Sequence, residues 1–437
     1  MSLFSFFTFD DKTDMKIKIA ANLSFLACFG AAGWIASLMN FGAEKLGLKA
    51  LDFGLILTVN ETAVIFGFII SFLLSYISES RLLGILIAMA GTGILLSAFA
   101  ESENPIFGAL YSMFGSSISS FAVNLAIFAF ILSLSIEYFE KTRDSLVKHS
   151  TESSATSLIM SKISAYCLLG TAAGYMVVTI IGFIPMNIAL ADGSSADISY
   201  YVLYPLIGLP LIVIGIMSSK KAAAAKALKE NVELIIRGKF FNFYILTFCT
   251  AAVNIIMIYF GAFFLVDKFK LSLGLIGLIF LLHSGLIFFL KGKATEIMKN
   301  KGEDLTMKIR YIVTLVFFAV LLLCEAPFID ENSFMKYVLL AILALYGLTT
   351  LFDNSIKSFI SYFASPNEQR SNMMIYTKLI QIAKIIIPLA AGLLSLTLGF
   401  YGVFGLGVIL AGVCLFISYK IYAAYQDTDE GKPLEEG

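Results

Sequence analysis

The 437 residues are 59% hydrophobic and 14% charged, with a mean hydropathy of +0.87 and a formal net charge of zero. A soluble domain carries roughly a quarter charged residues, so soluble globular and disordered chains are excluded, and the balanced charge suggests no nucleic-acid partner. The apolar residues come in long blocks, such as Tyr311 to Leu323, that are apolar on every side. Barrel strands would alternate, so the blocks read as helices, each needing about 20 residues to cross a bilayer.

Met1 to Phe9 is aromatic and uncharged, without a basic leader or cleavage site, and reads as a retained cytoplasmic segment. Spans are expected at 17–41, 51–78, 82–100, 118–147, 157–184, 199–218, 240–266, 272–294, 307–325, 334–363, 373–397 and 400–425. The fourth has a rival, because Ile106 to Ser117 is apolar enough to be an extra outer segment. The five cysteines, Cys28, Cys167, Cys249, Cys324 and Cys414, all fall inside these spans without metal-site spacing, so small buried side chains are expected. No metal and no cofactor is expected.

Charge placement orients the chain. With the N-terminus inside, only Lys45, Lys49, Lys268, Lys270 and Lys336 of the 31 basic residues fall in outer connections. Lys384 lies deep in the eleventh span, and the other 25, Lys308 and Arg310 among them, fall on the inner side. That imbalance follows the positive-inside rule and puts both termini in the cytoplasm of a cell membrane, read as a bacterial inner membrane. The expected fold is an all-α membrane protein of twelve helices in two pseudo-symmetric six-helix bundles. The bundles cover 17–218 and 240–425, with a segment 1–16, a charged linker 219–239 and a tail 426–437 on the cytoplasmic side. Weak internal repetition supports the split. Glu44-Lys45-Leu46 after the first span recurs as Asp267-Lys268-Phe269 after the seventh, and Glu137 and Lys141 align with Asp353 and Lys357.

A motif carries the resemblance to a known family. Gly292-Lys293-Ala294-Thr295-Glu296 with Lys299 and Lys301, between the eighth and ninth spans, resembles the inner-loop signature of the major facilitator superfamily. A degraded copy, Ser75-Tyr76-Ile77-Ser78-Glu79-Ser80-Arg81, lies between the second and third. Here serine replaces the glycine, and glutamate replaces the usual aspartate. The resemblance implies a secondary active transporter that moves a small organic solute by alternating access and works as a monomer, not an enzyme. Gly292, Glu296, Glu79 and Arg81 would then form a conformational latch whose pairing is made in one access state and broken in the other. A facilitative uniporter or a lipid- or amphiphile-moving protein of the same fold is the alternative.

Ionisable residues inside spans are costly and mark function. These are Glu61, His283, Lys384, Asp353 and Glu137. The family fold would bring Glu61 toward Lys384, either as a structural bridge or as the proton-coupling element. Burial of a carboxylate favours its protonated form and a neighbouring ammonium opposes this, so changing their separation would move a proton. The imidazole of His283 suits either a relay or helix packing, and Glu137 and Asp353 either couple or face inner water. The coupling ion is thus expected to be the proton. In the family the first, fourth, seventh and tenth helices line the cavity, which here would offer Asn22, Trp34, Asn124, Asn254, Tyr259, Tyr346 and Asn354. Apart from Asp353 and Glu137, that lining is neutral, amide-bearing and aromatic, which suits an uncharged, cationic or amphipathic solute. Gly170 and Gly174 in the fifth span form a small-xxx-small packing face.

Overall fold

A computed structural model describes residues 14–101, 118–151, 153–189, 195–220, 238–327, 329–330, 334–353, 356 and 364–426. The initial aromatic segment, Ile106 to Ser117, Asn354, most of the linker and the last residues of the tail lie outside that set, as do the side chains of Asp353 and Thr295. The chain divides into two compact units, one of Met1–Glu230 with Leu271–Ser284, the other of Asn231–Lys270 with Gly285–Gly437.

The first unit starts with α1 (Met15–Asn40), whose first turn is capped by the Asp14 carboxylate, 2.9 Å from the Lys16 amide. A π-helical segment, Phe41–Lys45, extends it. Next come α2 (Ala50–Thr62) and α3 (Ile69–Tyr76), joined by a 3₁₀ segment, Ala63–Phe68. The predicted single span 51–78 is thus broken in its middle. There the hydroxyl of Tyr138 donates to the Phe66 carbonyl at 2.6 Å, and a side chain inserted into a helical ladder bends it. The unit continues with α4 (Glu79–Ser97), α5 (Ser120–Ser150), α6 (Ser153–Phe183) and α7 (Ser199–Lys220). Strands β1 (Asn187–Ala189) and β2 (Ser195–Asp197) pair antiparallel between α6 and α7, a small departure from the all-α expectation. The buried Asp52 carboxylate ties the starts of two helices together, accepting the Lys49 amide at 3.0 Å and the Ser119 amide at 2.8 Å.

Glycines set the closest helix contacts. A Cβ on Gly84 or Gly215 would come within 2.6 Å of the other's carbonyl oxygen, and Gly91 and Gly208 would do the same at 2.6 and 2.7 Å. With no room for side chains, α4 and α7 pack backbone to backbone. Gly170 and Gly174 face the carbonyls of Phe25 and Phe29 on α1 in the same way.

The second unit begins at α8 (Phe241–Ile255), continued by a π segment, Ile256–Phe260, into α9 (Gly261–Phe269). Helix α10 (Leu273–Lys301) contributes its first part, to Ser284, to the first unit and its remainder to the second. Then come α11 (Glu303–Cys324), α12 (Met335–Thr350) with a 3₁₀ turn, Leu351–Asp353, and α13 (Pro366–Gln426). Pro366 opens α13 at a position that needs no amide, and the Glu368 carboxylate accepts the Ser365 amide at 3.0 Å. A core of Phe243, Leu246, Met307, Tyr311, Ile375 and Ile417 joins α8, α11 and α13.

Ten helices among the described residues are long and apolar enough to cross a membrane, and Met335–Thr350 is a shorter apolar one. The last of the ten, Ser371–Ile421, has 51 residues, about 76 Å of helix against a hydrocarbon core of about 30 Å. It is broken at Gly399, where φ is 59° and ψ −154°, a left-handed value that glycine tolerates. The break falls in the gap between the last two predicted spans.

Candidate functional site

One face of α8 and one of α13 enclose a cavity in the second unit. Its volume is about 270 Å³, and its lining includes Thr247, Thr250, Asn254, Ile258 and Tyr259, with Tyr376, Ile380 and Lys384 on α13. The α8 residues recur at steps of three and four, the period that puts them on one helix face. The α13 residues recur at steps of four. The π segment 256–260 interrupts α8 where Tyr259 reaches the cavity, and such bulges are frequent at functional sites.

Behind this lining lies a buried polar network. Nη2 of Arg310, on α11, donates to Oδ1 of Asn254 at 3.3 Å, and the Tyr346 hydroxyl, on α12, donates to the same oxygen at 2.6 Å. Thr250 Oγ1 and the Tyr311 hydroxyl are 2.6 Å apart. Arg310 is only 1% exposed. A guanidinium taken from water costs several kcal/mol unless polar groups answer it, and the Asn254 oxygen is one that does.

Two expectations are corrected here. Arg310 is not an inner-loop base, because α11 starts at Glu303 and buries it two turns in. The lining is not neutral either, because Lys384 is part of it. The sequence carried a signal for the first. Thr306, Arg310 and Thr314 form a stripe at four-residue steps in an apolar helix, and all three are buried.

Of the predicted site residues, Asn254, Tyr259 and Lys384 meet at this cavity and Tyr346 stands behind it. Trp34 and Asn124 make buried hydrogen bonds to packing partners instead: Trp34 Nε1 donates to Ser97 Oγ at 3.0 Å, and Asn124 Nδ2 to the Ala100 carbonyl at 3.1 Å. Asn22 is exposed on α1. Glu61 is half-buried in the last turn of α2, in the first unit, whereas Lys384 belongs to the second. Glu137 pairs with Lys141 one turn on, at 2.9 Å. His283 is half-buried in the part of α10 grouped with the first unit, and Asp353 ends the 3₁₀ turn after α12.

The latch residues differ sharply in environment. Gly292, Glu296 and Arg81 are exposed, and among the described residues nothing lies within 4 Å of where a Cβ on Gly292 would be. Among the described residues Gly292 is thus not a site of close helix approach. Glu79 is 1% exposed, and its Oε1 accepts from Ser145 Oγ at 2.5 Å and lies 3.0 Å from His149 Nδ1.

A second polar cluster ties 271–284 into the first unit. Asn40 Nδ2 donates to the Leu271 carbonyl at 2.6 Å and to Glu44 Oε1 at 2.9 Å, and Tyr200 donates to Glu44 Oε2 at 3.0 Å. Tyr175 stacks on Phe280 at 5.3 Å, and a Cβ on Gly277 would touch Thr179.

A polytopic helical bundle with a polar, partly cationic cavity among its helices is the class that fold and site define. No protein-family model matches the chain, and no curated protein matches its sequence. Solved structures do match its fold. A point mutant of the nucleoside transporter NupG is similar at a TM-score of 0.68 and 15% identity, covering 94% of this chain and all of that one. A bacterial homologue of the human lysosomal transporter Spinster, inward-facing and occupied, is similar at 0.64 and 11%, covering 94% and 96%. A bacterial metal transporter is similar at 0.62 and 14%, covering 94% and all of that chain. The chain has the major facilitator fold.

Proposed function

We propose that this chain is a secondary active transporter that carries a small organic solute by alternating access, with the cavity of the second unit as its solute site. The observation that carries the reading is a lining with Asn254, Tyr259 and Lys384 inside a helical bundle of this fold. An apolar wall with a few fixed polar groups is the usual make-up of a small-molecule site. At 270 Å³, it has the room of about nine waters at ~30 Å³ each, which suits a solute of amino-acid or monosaccharide size. The fold neighbours named as nucleoside and lysosomal transporters support a solute carrier over an enzyme.

In this reading the chain crosses the membrane twelve times in two six-helix halves, both termini are cytoplasmic, and the protein acts as a monomer in a bacterial inner membrane. Transport opens and closes the packing of 271–284 against α6 on the outer side and the Glu79, Arg81, Gly292 and Glu296 region on the inner side. Protons drive it through Glu61, with Asp353 or Glu137 as further carriers and His283 as a relay. Glu61 is the acid of choice because it sits beside Asn60 near the middle of its span, whereas Asp52, at the start, caps two helices.

The test is solute flux in proteoliposomes with and without a pH gradient. Accumulation that requires the gradient and is lost in Glu61→Gln is expected. Flux that only equilibrates the solute, whatever the gradient, would make the protein a uniporter and remove the proton.

A further inference from the structure

Two of the five cysteines meet across a helix pair in the first unit. Cys28 lies in α1 and Cys167 in α6. These helices touch backbone to backbone, since a Cβ on Gly170 would meet the Phe25 carbonyl and one on Gly174 the Phe29 carbonyl. Cys167 also packs on a small core of Ala21, Val147 and Ile163. Ala21, Phe25 and Cys28 share one face of α1, and Ile163, Cys167 and Gly170 share one face of α6, at steps of three and four. Where those faces meet, the thiols of Cys28 and Cys167 hydrogen-bond to each other. Nη1 of Arg143, on α5, donates to Cys167 Sγ at 3.9 Å. Both cysteines are half-buried. Glu140 and Asp144 stand near enough to act on Cys167 electrostatically, so the pair sits among ionised groups.

We propose that Cys28 and Cys167 form a two-coordinate site for a soft monovalent cation, Cu(I) or its analogue Ag(I). The cation displaces both thiol protons to solvent and bridges the two sulfurs. The resulting bis-thiolate centre carries one net negative charge, and the Arg143 guanidinium stands beside it. Ligand chemistry selects the cation. Thiolates favour Cu(I), whereas structural Zn(II) takes four ligands. Among the described residues, no three His, Cys, Asp or Glu side chains gather to hold a metal. The bound cation ties α1 to α6. This departs from the expectation of no metal, which rested on spacing along the chain, because the two ligands come from helices far apart in sequence. The site is separate from the solute cavity of the second unit and does not depend on transport.

Cys249 and Cys414 also hydrogen-bond to each other, but both are buried. The test therefore uses the full-length protein with Cys249, Cys324 and Cys414 replaced by alanine, purified in detergent under ascorbate. Cu(I) is offered in competition with bicinchoninate, whose coloured complex reports what the protein withdraws. One equivalent should be withdrawn, and Zn(II) should not compete for it. Cys28→Ser and Cys167→Ser should each weaken the uptake at least about 100-fold, more than the loss of a supporting partner around a metal costs. Cys28→Met keeps a soft sulfur ligand and should retain more affinity than Cys28→Ser. Arg143→Gln, which leaves both ligands in place, should weaken uptake about tenfold.

A second readout needs no further substitution. Cu(I) bound first should protect Cys28 and Cys167 together from N-ethylmaleimide, and alkylation done first should abolish uptake. The proposal is overturned if the protein withdraws no Cu(I) from bicinchoninate, or if Zn(II) binds as well as Cu(I). It also falls if uptake survives the serine substitutions or alkylation, or if Cu(I) leaves either thiol open to the maleimide.

Discussion

Replacing Asn40 by leucine should unlock residues 271–284 from the rest of the first unit. Asn40 is completely buried, and leucine keeps its branched heavy-atom shape, at a larger volume, while removing both N–H donors. The Leu271 carbonyl would lose a bond of 2.6 Å and be left without its partner while the segment is docked, at a cost of about 1–3 kcal/mol. The bond to Glu44, four residues on in the same helical run, is lost in both states alike and leaves the opening equilibrium unchanged. In the opened state water reaches the Leu271 carbonyl, so the loss of its bond falls on the closed state. That ~1–3 kcal/mol shifts the opening equilibrium about 5- to 150-fold. Thr179→Cys reports opening, because Thr179 packs against Gly277 in the closed segment. In a background without the native cysteines, an impermeant maleimide added from outside should label this position at least about fivefold faster when Asn40 is leucine. An unchanged rate in a protein that still folds would show that the Asn40 bonds do not hold the segment, and the reasoning would fail.

Other outcomes follow from the packing and the charges. Gly91→Leu would place side-chain atoms against the Gly208 carbonyl, which a Cβ alone would approach to 2.6 Å. It should push α4 from α7 and reduce the yield of folded protein, whereas Gly412→Leu, with nothing within 4 Å of its Cβ among the described residues, should be tolerated. Glu325, just past the end of α11, has its pKa raised above 4.5 by burial, and Lys268, at 3.8 Å, partly opposes this. A carboxyl that binds its proton more tightly when folded contributes most below its unfolded pKa and loses that contribution as pH rises through the folded value. Lys268→Met should therefore move the decline in thermal stability to higher pH. An unshifted pH profile would remove Lys268 as the opposing charge. The same substitution also strips two contacts from the end of α11, the carbonyls of Cys324 and Ala326 at 2.7 and 3.3 Å, so stability at every pH should fall as well.

Much of the helical layout was legible because it rests on composition and length. Blocks apolar on all sides become helices wherever water is excluded, and the glycine at 399 lies in the short polar-poor gap where the last two spans were separated. The close glycine contacts were half legible. Gly170 and Gly174 stood out at four-residue spacing, but Gly84 and Gly91 recur seven apart, as do Gly208 and Gly215, a spacing that only a packed partner explains. Interruptions inside helices escaped entirely. The 3₁₀ segment at Ala63–Phe68 depends on a hydroxyl from Tyr138, some seventy residues away, and no local pattern announces it.

The site was harder for a related reason. Counting bases on the inner side treats every lysine or arginine near a helix end as solvated, since long cationic side chains usually snorkel to water. Arg310 instead points into the bundle, as its neighbours Thr306 and Thr314 do on the same stripe. Trp34 and Asn124 show how buried polar atoms bind their neighbours. Polar atoms in an apolar span looked available for a solute, but each satisfies a partner on a neighbouring segment, which is what buried polar groups mostly do.

The central claim is that one cavity is reached from either side of the membrane but never from both at once. Ile258 lines that cavity, and Ile258→Cys in the cysteine-free background can be challenged in sealed proteoliposomes with an impermeant thiol reagent added outside or trapped inside. The account predicts reaction from each side, slowed by bound solute, in vesicles that stay tight to a small fluorescent dye. Reaction from one side only, or reaction from both accompanied by dye leakage, would contradict alternating access.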